Sequence, residues 1–145
     1  MSESTAPLLA PQQPGFPVPP RSQRSEPFWE GCRQGRLVLP ACSACGQRAL
    51  RAFSVCAHCG GQALAWEASA GHGVLYSWTV VWRPPHPGFA VPHAPAVVQL
   101  DEGWWVLSAV IGCTPDALRD GLPVAVEFHP ASDEVMLPYF RPRTT

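Results

Sequence analysis

The residues of this sequence best suited to chemistry are four cysteines in two closely spaced pairs. Cys42 and Cys45 are separated by two residues, Cys56 and Cys59 likewise, and ten residues lie between the pairs. Each pair curls the backbone so that both sulfurs face one point, and two such turns supply four thiolates in a tetrahedron. A glycine follows each pair and gives the permissive backbone that these turns need. The spacing therefore predicts a zinc site.

We predict that this site is structural, because four thiolates leave the metal no open position for water or substrate. Iron in a rubredoxin-like site uses the same ligands and remains an alternative. His58, inside the second pair, is an alternative ligand that could replace a cysteine. The two remaining cysteines, Cys32 and Cys113, lie in apolar stretches, and we predict that both pack as small hydrophobic side chains.

Basic charge is concentrated in the first half of the sequence. All ten cationic residues are arginines; residues 21–60 carry a net charge of +4, and residues 61–145 carry −4. Arginine makes two-pronged contacts with phosphate and carboxylate, so the segment could seat a phosphorylated ligand such as coenzyme A, or an acidic partner. An ordinary solvated face is the alternative. The candidate contact residues are Arg33, Arg36, Arg48 and Arg51.

A proline-rich loop over residues 84–93 is the other candidate for binding. Four prolines stiffen it, and His86, Phe89 and His93 give its tip both apolar and polar character. Stiff loops with exposed aromatic side chains often serve interfaces. A general-base role for either histidine is the alternative.

The remaining pattern predicts a mainly β protein. We expect a disordered proline-rich tail over 1–23, a helix and zinc ribbon over 24–68, and a five-stranded OB-fold barrel over 69–145, with a β-sandwich as the alternative to the barrel. Ser25, Glu26 and Pro27 predict a helix over about 26–34. Alternating apolar residues and turn signals predict the strands. These strands cover 36–40, 48–53, 62–67, 74–82, 96–100, 104–111, 124–129 and 135–140.

Composition argues against several classes of protein. The net charge of −1 is unlike that of nucleic-acid binders, which neutralise phosphates with clustered cations. No apolar run approaches the ~20 residues of a membrane span. The N-terminus lacks a signal pattern, so we expect a cytoplasmic, reducing location in which paired cysteines bind metal. No phosphate-binding loop or catalytic triad ordering is recognisable.

The ordered series of motifs resembles a family of zinc-ribbon/OB-fold proteins that accompany thiolases and acyl-CoA-processing enzymes, a family long catalogued as a domain of unknown function. The resemblance runs from about Pro27 to Pro142. It is carried by Pro27–Gly31, Gly35–Leu37, Cys42–Gly46, Cys56–Gly60, Gly71–Val80, Pro95–Leu100, Gly112-Cys113 ahead of Pro115, Gly121–Val124 and Phe140–Pro142.

This resemblance implies an N-terminal helix, a rubredoxin-like ribbon with structural zinc, and a C-terminal OB barrel. It also implies a non-catalytic accessory subunit that binds acyl-CoA and supports a thiolase-like or hydratase partner in lipid, sterol or polyketide acyl metabolism. The catalytic cysteine and histidine would belong to the partner, so no catalytic residue is expected here. The alternatives are a single-stranded nucleic-acid-binding module and a stand-alone acyl-CoA enzyme that uses His86 or His93.

Overall fold

The computed structural model describes residues 7–144, and this part of the chain forms one α-helix followed by seven strands. The helix and strands are α1 (Glu26–Arg33), β1 (Leu37–Cys42), β2 (Leu64–Ser69), β3 (His72–Trp78), β4 (Pro95–Leu100), β5 (Trp105–Ala109), β6 (Pro123–Pro130) and β7 (Met136–Pro142). No helix within these residues is long and apolar enough to cross a membrane. The predicted mainly β fold with one N-terminal helix is confirmed.

The helix and the first two strands form the ribbon. Pro27 lies in the first turn of α1, where its missing N–H costs nothing, and Gly35 ends the helix with a φ of +74°. Gly31 lets the helix pack closely on β1, because a Cβ there would collide with Val38. β1 pairs with β2 in an antiparallel hairpin, from Leu37 opposite Ser69 to Cys42 opposite Leu64.

The other five strands form a single curled sheet in the order β5-β4-β3-β6-β7. The sheet curls until β5 approaches β7, where Val110 bridges Phe140 and the Ile111 N–H donates to the Phe140 carbonyl at 2.9 Å. Alternate side chains fill the interior, among them Leu75, Val98 and Phe140, each fully buried. A curled half-barrel of this kind confirms the OB-fold prediction rather than the sandwich.

The strand predicted over 48–53 is wrong. Ala41 bridges Arg48, and the Ala49 N–H donates to the Pro40 carbonyl at 3.0 Å, but the chain then leaves β1. Leu50 beyond this point is 75% exposed. The strand predicted over 74–82 also ends early, at Trp78, because Val81 pairs with His93 across the proline-rich loop instead.

The predicted disorder of the N-terminal tail is wrong over the described part, and residues 1–6 lie outside the described residues. We call residues 7–20 the N-terminal strap. Leu9 is 2% exposed and exchanges two backbone hydrogen bonds of 2.8 Å with Gly112 and Cys113. Gln12 is buried, and its amide pairs twice with the backbone of Ala90, at 2.7 and 3.1 Å. The strap is held through its backbone, which hydrophobic periodicity does not reveal.

Candidate metal centre and flanking grooves

The four paired cysteines meet at one point. Their sulfurs all lie within 4.8 Å of one another, with Cys42 Sγ 3.7 Å from Cys59 Sγ and Cys45 Sγ 3.8 Å from Cys56 Sγ. A tetrahedron of thiolates around zinc at ~2.3 Å has edges of about 3.8 Å, so the cluster fits the ion. His58 is not part of the cluster, and its predicted alternative role as a ligand is wrong.

Both pairs reach this arrangement through the same backbone turn. The Gly46 N–H donates to the Cys42 carbonyl at 2.7 Å, and the Gly60 N–H donates to the Cys56 carbonyl at 2.8 Å. Each glycine has a positive φ, +79° and +75°, which a side chain would strain. The backbone N–H of Cys45 lowers the pKa of the Cys42 thiol to about 7. The pKa of the Cys45 thiol is raised to about 12 despite the Gln47 N–H, because burial and hydrogen bonds to the neighbouring sulfurs favour its protonated form.

A metal held by these four sulfurs is closed to substrate and ties two knuckles together. Between the pairs, Arg48 and Ala49 are held against β1 and Trp104, whereas Leu50 and Val55 beyond them are exposed; the turn after Cys59 leads into β2. The centre therefore fixes the ribbon and with it the surface that residues 47–58 present. The described residues fit a structural zinc ion, as the spacing predicts.

The ribbon is fastened to the barrel around Trp104. This ring is 1% exposed, its Nε1–H donates to the Pro40 carbonyl at 2.8 Å, and the Arg48 guanidinium lies 4.4 Å from the ring centroid. Arg48 also forms an ion pair with Glu67. Glu102, in the turn between β4 and β5, accepts hydrogen bonds from the Ala70 N–H and the Ser69 hydroxyl, each at 2.8 Å. The ribbon and barrel thus share one packed junction.

The predicted basic residues divide into two groups. Arg48 and Arg51 line an open groove of about 830 Å³ beside the metal centre, together with Arg24 and His58. Arg33 instead forms an ion pair with Glu30 at 3.5 Å on α1, and Arg36 follows the helix; neither lines the groove. Sequence reasoning did not single out Arg24, because no motif contains it and only the fold brings it here. We call this site the basic groove.

The proline-rich loop is placed differently from the prediction. Phe89 is half-buried rather than exposed, with its ring centroid 5.5 Å from that of Phe16 in the N-terminal strap. His93 stacks near Phe89 at 6.1 Å, and burial lowers the pKa of this histidine. His86 is exposed, and its Nδ1 accepts the Gly88 N–H at 2.9 Å. Within residues 7–144 neither histidine bonds to a carboxylate or nucleophile.

The two unpaired cysteines pack as predicted. Cys32 is fully buried on α1, and burial raises the pKa of its thiol to about 12. Cys113 is partly buried against the barrel core, and burial raises its pKa as well. Thiols of this kind are protonated and inert at neutral pH.

Two family models match the chain in succession. The rubredoxin-like zinc ribbon domain of ChsH2 matches residues 29–65, and the C-terminal OB-fold domain of ChsH2 matches residues 66–129. The solved structure of the Ltp2-ChsH2(DUF35) aldolase contains a chain with 34% identity and a TM-score of 0.79, and the match covers 86% of this chain and 98% of that one.

Two curated proteins are also similar. A probable enoyl-CoA hydratase alpha subunit of Thermomonospora curvata is 37% identical over 126 residues, which span 85% of this chain but 39% of that protein. A DUF35 domain-containing scaffold protein of Pyrococcus furiosus is 31% identical over 98 residues, 64% of this chain and 61% of that protein. Matches to both ChsH2 domain models, in the order that the fold shows, identify the chain as a member of the ChsH2 (DUF35) family of zinc-ribbon/OB-fold proteins.

Proposed function

We propose that this chain is a non-catalytic accessory subunit that binds acyl-CoA and supports a hydratase or thiolase-type catalytic partner. The observation that carries the proposal is the basic groove, in which Arg24, Arg51 and His58 converge beside a metal centre that is closed to chemistry. The names of two relatives, a probable enoyl-CoA hydratase alpha subunit and the Ltp2-ChsH2(DUF35) aldolase, support an accessory subunit in an acyl-CoA enzyme complex. A reducing cytoplasm would keep the thiols of this chain from forming disulfides.

Coenzyme A fits the basic groove by charge. Its 3′-phosphate is close to dianionic at neutral pH, each phosphate of its diphosphate carries one negative charge, and arginine forks bind such groups with charge-assisted hydrogen bonds. Arg51 and Arg24 are exposed and form no ion pair within the described residues, so they are available, whereas Arg48 is committed to Glu67 and Trp104. Leu50 and Val55, 75% and 52% exposed, line the same groove and offer apolar contact for the adenine ring.

We assign the chemistry to the partner, because the two candidate histidines lack catalytic companions within the described residues. His86 and His93 lie beside Phe89 at ring distances of 6.4 and 6.1 Å and have no acid or nucleophile hydrogen-bonded to them within residues 7–144. The match covers 39% of the Thermomonospora relative, so the activity that its name describes can involve residues outside the matched region. Phosphates held in the basic groove would leave the acyl arm free to reach the partner's site.

Replacing Arg51 with alanine is expected to weaken coenzyme A binding by about 10- to 100-fold, because one charge-assisted contact to phosphate is worth roughly 1.5–3 kcal/mol. Isothermal titration calorimetry of coenzyme A against the purified zinc-loaded chain measures the effect, and raising the salt concentration should weaken wild-type binding. Arg36→Ala is the matched control, since Arg36 is equally exposed and lies outside the groove. Equal losses for both variants, or no binding by the wild type, would remove acyl-CoA from the proposal.

A further inference from the structure

The outer edge of β5 offers backbone groups that nothing in the described chain pairs with. At the two ends of the β4–β5 ladder, the hydrogen-bonded pairs are Leu100 with Trp104 and Ala94 with Val110. Because hydrogen-bonded and non-hydrogen-bonded pairs alternate along an antiparallel ladder, Val106 and Ser108 also bond to β4. Trp105 and Leu107 therefore direct their N–H and C=O groups away from β4. Farther along the same set, Ile111 bonds to β7, whereas Trp105 and Leu107 lie on an edge strand whose ladder partner within residues 7–144 is β4 alone. The barrel closes at one end of β5 only.

The side chains along this edge are also exposed. Trp105 is 45% exposed and Leu107 is 75% exposed, whereas Val106 between them points into the barrel. Tyr76 on β3 extends the apolar surface, with its ring centroid 4.5 Å from that of Trp105. An uncovered apolar edge strand pairs readily with other chains, and natural proteins normally protect it. Here the five residues of β5 contain no charge and no proline that would do so.

Two apolar grooves run along this edge and join at Leu107 and Phe28, which line both. The first, of about 390 Å³, lies towards Leu50 and Arg51; the second, of about 320 Å³, lies towards Phe89. We call them together the β5 trough. It connects the two regions that the sequence singled out, the basic segment and the proline-rich loop. Residues from α1, the segment 50–52 and the N-terminal strap form its walls.

We propose that the β5 trough receives an extended strand from the catalytic partner subunit, which pairs with the free backbone groups of Trp105 and Leu107. This inference rests on the proposed function, because it names the surface by which the accessory subunit holds its partner. Strand addition of this kind gives affinity through main-chain hydrogen bonds and selectivity through pockets for alternate side chains. The incoming strand would place apolar side chains over Leu107 and Phe28.

The solved relative favours a segment of another protein over a second copy of this chain, because it is named as an aldolase that contains a second component, Ltp2. Phe28, Leu39 and Leu50 line the groove beside β5, which offers apolar contact to the side chains of an added strand.

Hydrogen exchange measured on the free chain and on its complex distinguishes strand addition from other modes of docking. The partner for this test is the catalytic subunit that copurifies with the wild-type chain, produced separately and recombined. We expect the amides of Trp105 and Leu107 to exchange rapidly in the free chain and to slow by about 100-fold or more in the complex. The amides of Val106 and Ser108, paired with β4, should be protected in both states and serve as the internal reference.

A proline substitution tests the same backbone group by affinity. Leu107→Pro removes an N–H that points outward, and proline is tolerated at such edge positions, so pairing with β4 should survive. Leu107→Ala removes the same side-chain bulk and keeps the N–H. We expect Leu107→Pro to bind the partner about tenfold more weakly than Leu107→Ala, because it loses a hydrogen bond and sterically blocks the strand. Circular dichroism of both variants verifies the fold.

Each alternative occupant gives a different result. Unchanged exchange at Trp105 and Leu107 in a stable complex would overturn the strand proposal and leave the accessory role standing. Protection in the free chain that grows with its concentration would assign the trough to a second copy and overturn the proposal. Protection by coenzyme A without the partner would assign the trough to the ligand, with the same consequence. Failure to isolate any catalytic partner would overturn the proposal together with the accessory role.

Discussion

Cys56→Ser is expected to abolish stoichiometric zinc binding and to unfold the ribbon. Cys56 is buried, and its sulfur lies 3.8 Å from Cys45 Sγ, so serine leaves three thiolates and a hard hydroxyl in place of a soft ligand. Structural zinc contributes about 10–16 kcal/mol to the folding of zinc-finger peptides, which equals or exceeds the ~5–15 kcal/mol stability of a typical domain. The short β1–β2 hairpin has little core of its own to replace this contribution.

Metal analysis of the purified protein and limited proteolysis of residues 37–69 measure the effect. Wild-type protein should carry one zinc ion per chain and resist cleavage, and a strong chelator should reproduce the mutant behaviour. Cys113→Ser is the matched control, because Cys113 lies outside the cluster and only partly buried against the barrel. A Cys56→Ser protein with a full complement of zinc and an intact ribbon would show that the four sulfurs do not hold the metal.

Trp104→Ala is expected to lower the free energy of unfolding by about 3–5 kcal/mol, the usual cost of truncating a buried tryptophan. The substitution leaves a cavity at the junction of ribbon and barrel and removes one of the two hydrogen-bond donors to the Pro40 carbonyl. It also removes the ring over which the Arg48 guanidinium lies. Urea unfolding of the zinc-loaded protein, followed by circular dichroism, measures the change.

The neighbouring residue provides the control for this experiment. Trp105 is the next residue and begins β5, but its side chain is 45% exposed. Trp105→Ala should therefore lower the free energy of unfolding by no more than about 1 kcal/mol. Trp104→Phe separates packing from hydrogen bonding, since it keeps most of the ring and removes one of the two donors to the Pro40 carbonyl. The carbonyl keeps the Ala49 N–H, so the cost of the lost hydrogen bond should be about 0.5–1.5 kcal/mol. Similar losses for Trp104→Ala and Trp105→Ala would mean that the junction is not a principal source of stability.

The metal centre and the strands were predictable because their signals are local. The C-x2-C spacing determines where each pair of sulfurs points, and alternation of apolar residues identifies β4 and β6 to within one residue at either end. The strand predicted over 48–53 does not form. On one edge β1 pairs along its whole length with β2, whereas on its other edge there is a single bridge, at Arg48, whose guanidinium lies over the Trp104 ring. That choice depends on a contact between residues 56 positions apart, which no local pattern encodes.

The N-terminal strap and the grooves were not predictable for a related reason. The strap is proline-rich and aperiodic, yet Leu9 and Gln12 hold it through hydrogen bonds to backbone groups about 80 to 100 residues away. Its Phe16 covers Phe89, which the sequence presents as an exposed tip. The basic groove likewise depends on the fold, which gathers Arg24, Arg48 and Arg51 and leaves Arg33 and Arg36 elsewhere. The sequence predicts a basic segment but does not show which of its arginines line one groove.

Native mass spectrometry of the tagged chain, purified from its native host at low ionic strength, tests the accessory role most directly. We expect an assembly that contains this chain, one zinc ion for each copy of it, and a hydratase-like or thiolase-like subunit in a fixed ratio. Recovery of the chain with nucleic acid or ribosomal proteins in place of such a subunit would contradict the accessory role, and the family likeness would then describe the fold alone.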